Sequence, residues 1–326
     1  IITLHFFGCT KVGDAGLTGL AQGLGVLQSL TTITLKLFGC DDVGDAELTG
    51  LSQGLGVLPN LTAITLNFGW CKEVGDVGLA GLAQGLGLLH NLTAINLNFL
   101  ACNNVGAAGL SDLAQGLGAL QNLASYNHSA FLWVYEGRRC RIDWLGPGAQ
   151  GLSALHNLTT ISVNFQRCRN FGDAGLTGLA QGLGALHNLT IIIVDLSWCV
   201  NIGDAGLAAL GQGLGALHSL AAITLKFAGC SKVGDAELTG LARGLGELQN
   251  LTTVTLDFER CDNIGDTGLT GLAQGLGALQ NLTTITLIAF GNHFQASTRV
   301  EVVELIEQLE DAASVVVDAR LVTTDV

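Results

Sequence analysis

The chemically capable residues of this chain recur at intervals instead of gathering in one place. The stretch GDAGLTGLAQGLG occupies residues 13–25 and returns letter for letter at 172–184. Glycines at a helix start can cradle a phosphate, but a dinucleotide fingerprint needs one such loop after one strand, with an acidic residue about 20 positions on. Here the motif recurs in nearly every segment and its glycines fall inside the helical pattern, which is the mark of a building element. Cysteine behaves alike. Cys9, Cys40, Cys71 and Cys102, then Cys168, Cys199, Cys230 and Cys261, stand 31 residues apart except across the central gap of 66. No C-x-x-C pair occurs, so zinc ligation is not indicated. Neighbouring rungs of a parallel sheet lie about 4.8 Å apart, close enough for disulfides. One repeated position just past a strand argues instead for buried, reduced thiols, which favour an intracellular compartment. His90, His156, His187 and His218 share a column with Gln28, Pro59, Gln121, Gln249 and Gln280. A column that accepts Gln and Pro is not catalytic. No Ser/His/Asp or paired-carboxylate set stands apart from the repeats, so the reading is of a non-enzyme with no cofactor and no metal.

These columns require repeated elements to carry them. Complete units run 29–59, 60–90, 91–121, 157–187, 188–218, 219–249 and 250–280, with a damaged 35-residue unit at 122–156. In the unit NLTTVTLDFERCDNIGDTGLTGLAQGLGALQ, residues 250–280, Val254, Leu256 and Phe258 alternate with Thr255 and Asp257, which predicts a strand with one buried face. Asn-Ile-Gly-Asp then predicts a turn, with Asp266 as the N-cap accepting from the first free helix amides. Leu269, Leu272, Leu276 and Leu279 follow at helical spacing. Gly16, Gly19 and Gly23 line one flank of the equivalent first helix. Each interior glycine costs about 0.5–1 kcal/mol of helix stability, which a close neighbouring helix can offset.

The strand L-x-x-L-x-L-x-F-x-x-C followed by I/V-G-D-x-G-L-x-x-L-A-x-G-L resembles the leucine-rich repeat family. The helical half resembles its ribonuclease-inhibitor-like type, and the single cysteine per unit is similar to the cysteine-containing type of many F-box proteins. The resemblance spans about 1–290. It implies an α/β fold: a leucine-rich repeat solenoid, horseshoe or arc, with a concave parallel sheet and convex helices. For function it implies protein binding through partner-specific surfaces.

Charge excludes other classes. There are 27 acidic and 14 basic residues, a formal net of −13. Such a surface repels nucleic acid and anionic membranes, and no unbroken apolar window of about 18 residues exists for direct membrane insertion. The chain opens at Ile1 inside a strand pattern and contains no methionine, so its natural N-terminus is expected to lie upstream, and the first strand is expected to be an edge covered by upstream repeats or another subunit. Asn60, Asn91, Asn157, Asn188, Asn250 and Asn281 each begin Asn-Leu-Thr, and Asn127-His128-Ser129 adds another glycosylation signal. Six of these are one repeat position copied, and are read as structural.

The partner-binding candidates are where the frame varies. The outward strand column is His5, Lys36, Asn67, Asn98, Asn164, Asp195, Lys226 and Asp257, and two residues on come Phe7, Phe38, Gly69, Leu100, Gln166, Ser197, Ala228 and Glu259. Phe7, Phe38 and Leu100 would make an apolar patch near one end. The damaged unit carries Trp133, Tyr135, Arg138, Arg139, Arg141 and Trp144, a composition typical of interface anchors. A decayed repeat and a sequence artefact are the other readings of that stretch. Residues 291–326 are expected to form a capping helix, begun by Ser297 or Thr298, and a last strand at 314–322. The expected function is a non-catalytic protein-interaction scaffold. A structural subunit of a large assembly and a fragment of an F-box-like substrate receptor are the alternatives.

Overall fold

The structure, a computed structural model, describes residues 1–9, 11–99, 102, 104–105, 107–120, 122–129, 155–167, 171–289 and 316–320. The chain divides into two compact units, Ile1–Asn164 and Phe165–Val326. The first alternates strands β1 (Ile2–His5), β2 (Thr32–Lys36), β3 (Ala63–Asn67) and β4 (Ala94–Asn98) with helices α1 (Asp14–Gly25), α2 (Asp45–Leu55), α3 (Asp76–Leu86) and α4 (Ala107–Leu117), and ends with β5 (Ser125–Ser129) and β6 (Thr160–Asn164). The second holds α5 (Asp173–Gly184), β7 (Ile191–Asp195), α6 (Asp204–Gly215), β8 (Ala222–Lys226), α7 (Asp235–Gly246), β9 (Thr253–Asp257), α8 (Asp266–Gly277), β10 (Thr284–Ile288) and β11 (Val316–Arg320). Within each unit every strand pairs in parallel with the next. Ile33 lies opposite Ile64 and Leu225 opposite Leu256. The longer unit is absorbed between strands, since Ser125 pairs with Thr160.

Alternation builds the core. Ile33, Leu35 and Leu37 point inward from β2 and its end and are fully buried, as are Leu48, Leu51 and Leu55 on α2. Each such side chain contributes about 1.5–3 kcal/mol on burial. At the strand ends the Phe column stacks from rung to rung: Phe68 on Phe99 at 5.7 Å and Phe227 on Phe258 at 5.6 Å, with nearly parallel rings.

Glycine sets how near the helices come. A Cβ on Gly54 would strike the backbone carbonyl of Ala21, one helix earlier, and one on Gly275 would strike that of Ala242. The glycine flank therefore receives the preceding helix.

The aspartates differ more from expectation. Asp266 and its equivalents do not cap their own helices. The N-cap is glycine in an extended conformation (Gly44, Gly75, Gly172, Gly234 and Gly265), and it has no side chain to offer. Because the aspartate is already the first helical residue, its carboxylate reaches sideways instead. The N–H of Gly75 donates to Asp45 Oδ1 at 2.7 Å, that of Gly203 to Asp173 Oδ1 at 2.7 Å, and that of Gly265 to Asp235 Oδ1 at 2.6 Å. Where a unit reads GDAEL, a nearly buried glutamate does the work locally: the N–H groups of Gly44 and Gly234 donate to Glu47 Oε2 and Glu237 Oε2, both at 2.8 Å.

The Asn-Leu-Thr column is likewise structural. Asn60, Asn91, Asn250 and Asn281 donate through Nδ2 to the carbonyls of Gln28, Pro59, His218 and Gln249 in the preceding repeat, at 2.7–2.8 Å. Asn122, followed by Leu123-Ala124 and so outside any glycosylation signal, donates to His90 O in the same way. The threonine hydroxyls of Thr62, Thr93 and Thr252 bridge to Thr31 O, Thr62 O and Ala221 O.

Candidate functional site

The outward sheet face carries the variable side chains. In the first unit His5, Lys36, Asn67 and Asn98 align across consecutive strands, and Ser129 aligns with Asn164. In the second, Asp195, Lys226, Asp257 and Ile288 align. Sequence reasoning omitted Ser129, which sits in the damaged unit, and Ile288, which an apolar run disguised. Leu100, Trp133, Tyr135, Arg138, Arg139, Arg141 and Trp144 lie outside the described residues, as does the expected helix starting at Ser297 or Thr298.

Part of this column holds the turn that follows. Asn67 Oδ1 accepts the N–H of Gly69 at 2.9 Å, Asp195 Oδ1 that of Ser197 at 3.0 Å, and Asp257 Oδ1 that of Glu259 at 3.0 Å. Short polar side chains that bond the backbone two residues on stabilise such turns, so Asn67 and Asp257 serve the fold as well as the surface, while Asp195, expected to face outward, is buried beneath its turn. Lys36 and Lys226 do not share that role. Lys226 Nζ lies 4.0 Å from Asp195 Oδ2, with the lysine side chain 43% exposed, which makes it a weak pair.

Three positions past that column the backbone turns left-handed. Gly8, Gly39 and Gly229 take it with φ of 60°, 70° and 71°, but Trp70, Arg167, Trp198 and Arg260 take it too, with φ of 65°, 63°, 65° and 54°. A non-glycine residue pays about 1–2 kcal/mol for this conformation. It persists because the ladder continues into the turn: the N–H of Arg167 donates to Ser197 O at 2.7 Å and that of Trp198 to Ala228 O at 2.6 Å. The residue before the repeated cysteine is glycine in three units, Trp or Arg in four and Ala in one, so residue type alone marks a turn there without fixing its handedness.

In the first unit these positions build an aromatic line. His5 meets Phe7 edge-on at 5.9 Å, Phe7 lies 6.1 Å from Phe38, and Phe38 lies 6.5 Å from Trp70. Phe7 and Trp70 are exposed. Trp70 extends the Phe7–Phe38 contact, while Leu100, the third member of the expected patch, lies outside the described residues. In the second unit Ile191, Ile193 and Trp198 are exposed on one rung.

The cysteines belong to the interior. Cys71, Cys102, Cys199, Cys230 and Cys261 are buried thiols, and each Sγ donates to a carbonyl of the preceding repeat, as Cys71 does to Leu37 O at 3.0 Å. Burial pushes the Cys71 thiol up to about 12, and raises Cys102, Cys230 and Cys261 also. Such thiols are poor nucleophiles and poor ligands. Among the described residues no group of three or more His, Cys, Asp or Glu is placed to hold a metal ion, and no helix is long and apolar enough to cross a membrane.

The Leucine Rich repeat family model matches residues 187–211 and 250–273. The crystal structure of the Rad7 and Elc1 complex in yeast superposes with a TM-score of 0.50 over 100% of this chain and 78% of the other, at 17% identity. The fold is a leucine-rich repeat solenoid. An internalin C2 structure from Listeria monocytogenes aligns with 88% of the solenoid and all of its own chain at 16% identity and a TM-score of 0.42. No curated protein matches the chain. Within the solenoid the Leu, Cys, Asn and Asp columns bind one repeat to the next, and the variation lies on the sheet face and its turn edge.

Proposed function

We propose that this leucine-rich repeat solenoid is a non-catalytic protein-interaction scaffold that presents the outward face of its parallel sheet and the adjoining turns. The observation that carries the reading is a contrast between columns. Frame columns repeat one residue type whose polar atoms bond to the neighbouring repeat, while the face columns change charge and shape from rung to rung and hold exposed rings. Aromatic and arginine side chains on a rigid surface are the usual anchors of interfaces, and a surface already held in register loses little freedom on binding. Affinity purification from the native source, followed by mass spectrometry, identifies the partner to be used. With that partner purified, Lys36→Glu, Phe38→Ala and Lys226→Glu are expected to weaken binding at least tenfold without lowering Tm. Unchanged affinity in all of them rejects the face as the binding surface.

A further inference from the structure

We infer that the outward sheet face of the first unit binds an extended segment carrying a carboxylate and, two residues away, an apolar side chain. The proposal rests on the sheet side being the interaction surface. Charge singles this face out. The chain has a net charge of −13, yet strands β1 to β6 contain no Asp or Glu, whereas β7, β9 and β11 contain Asp195, Asp257 and Asp318. In an acidic molecule, a face cleared of carboxylates is where an anionic group meets least repulsion. The nearest acids in the chain, Asp41 and Asp42, follow the buried Cys40 toward the helix, and Asp41 is held by Lys72 at 3.2 Å.

Hydrogen-bond donors occupy the cleared face. Lys36 stands between His5 and Asn67 on adjacent rungs. Among the described residues the ion pairs are Lys72–Asp41, Lys226–Asp195 and Arg260–Glu259, so the half-exposed Lys36 ammonium is left for a ligand. Asn67 already holds the Gly69 N–H with its Oδ1, and what it still offers is the donor Nδ2. The exposed His5 adds a ring N–H. A row of donors around one ammonium suits a carboxylate, which accepts at both oxygens in charge-assisted bonds.

Beside the donors lies an apolar shelf. The ladder runs on past β2, with the N–H of Leu37 donating to Asn67 O at 2.7 Å and that of Gly39 to Gly69 O at 2.8 Å. Phe38 therefore keeps the alternation of the strand and shares the face of Lys36. Its ring leans over the next rung, where a Cβ on Gly69 would sit 2.9 Å from it. Phe7, Phe38 and Trp70 thus line three rungs, with rings tilted by 47° and 50° to one another. Two residues of strand separate Lys36 from Phe38 by about 7 Å. An extended ligand running along β2 has the same step, so a carboxylate at i meets Lys36 and an apolar side chain at i+2 meets Phe38. Neighbours at i and i+1 point to opposite sides and cannot engage both.

The test immobilises a biotinylated peptide, Gly-Ser-Glu-Ser-Leu-Ser-Gly, and reads binding of the full chain by biolayer interferometry. Control peptides replace Glu by Lys, replace Leu by Ser, or keep the composition with the two anchors adjacent, Gly-Ser-Glu-Leu-Ser-Ser-Gly. The expected result is binding that falls with salt and is at least tenfold weaker for each control. Lys36→Gln and Phe38→Ala are each expected to weaken binding at least tenfold at unchanged Tm. Lys11→Gln, which removes an exposed charge from the turn beyond Cys9, is expected to leave it within about twofold. A Lys peptide or an adjacent-anchor peptide that binds as tightly as the first overturns the proposal. So does a Lys36→Gln chain that keeps its affinity, or a Lys11→Gln chain that loses as much. If the peptide fails while the native partner still responds to Lys36→Glu and Phe38→Ala, the segment is wrong and the scaffold reading survives. If the partner ignores those changes as well, both fall.

Discussion

Single residues here act across the gap between repeats. Asp235 receives the N–H of Gly265, so Asp235→Ala strands a half-buried amide; a loss of about 1–3 kcal/mol is expected, read by urea denaturation. The same change at Asp262, an exposed turn residue, should cost under about 0.5 kcal/mol. Cysteine gives a pH dependence with a definite sign. Burial raises the Cys71 thiol from 9.0 to about 12, so the folded chain holds its proton where the unfolded chain has released it. Stability from this group is complete below pH 9 and declines as pH climbs from 9 toward 12. Denaturation midpoints measured at pH 8, 9 and 10 should fall, and fall less steeply in Cys71→Ala. A thiol reagent at pH 8 should leave Cys71, Cys102, Cys230 and Cys261 unmodified until denaturant is added, because the thiolate is the reactive form.

At the scale of the element, the helices are poor helices that pack well. Glycine inside α2 weakens it alone, yet Gly54→Ala is expected to destabilise the protein by about 1–3 kcal/mol through overpacking, since the added methyl meets the backbone of α1. Gly240→Ala on α7 brings the new methyl no nearer than 3.6 Å to its neighbour, Ala208, an ordinary contact, and should stabilise by about 0.5–1 kcal/mol. Opposite signs of the two shifts in Tm separate packing from propensity; equal signs would reject lateral packing as the reason for the glycines. The strands were legible from alternation alone. The turns were legible only as turns, because whether Trp70 or Arg260 occupies a left-handed position depends on where the ladder of the neighbouring strand pins its amide.

For the whole molecule, stability is approximately a sum over repeats and their neighbour contacts. Removing residues 219–249 leaves Asn250 facing the equivalent carbonyl of His187, and Cys261 facing that of Leu196, so the shortened chain should fold with the same helical content per residue by circular dichroism and a lower Tm. Collapse of the far-ultraviolet signal would contradict that independence. The sequence by itself determined the repeat, the buried and exposed faces of each strand, the placement of the leucines and the internal nature of the cysteines, because each follows from periodicity within one unit. Only the tertiary structure decided that Asp45, Asp173 and Asp235 serve the following repeat, that Glu47 and Glu237 serve their own, that Asn67, Asp195 and Asp257 brace their turns, and that Trp and Arg stand at the edge in a glycine's conformation. Those bonds join residues that become neighbours when one rung is laid on another, and spacing along a single unit holds no record of which atom lies across the gap.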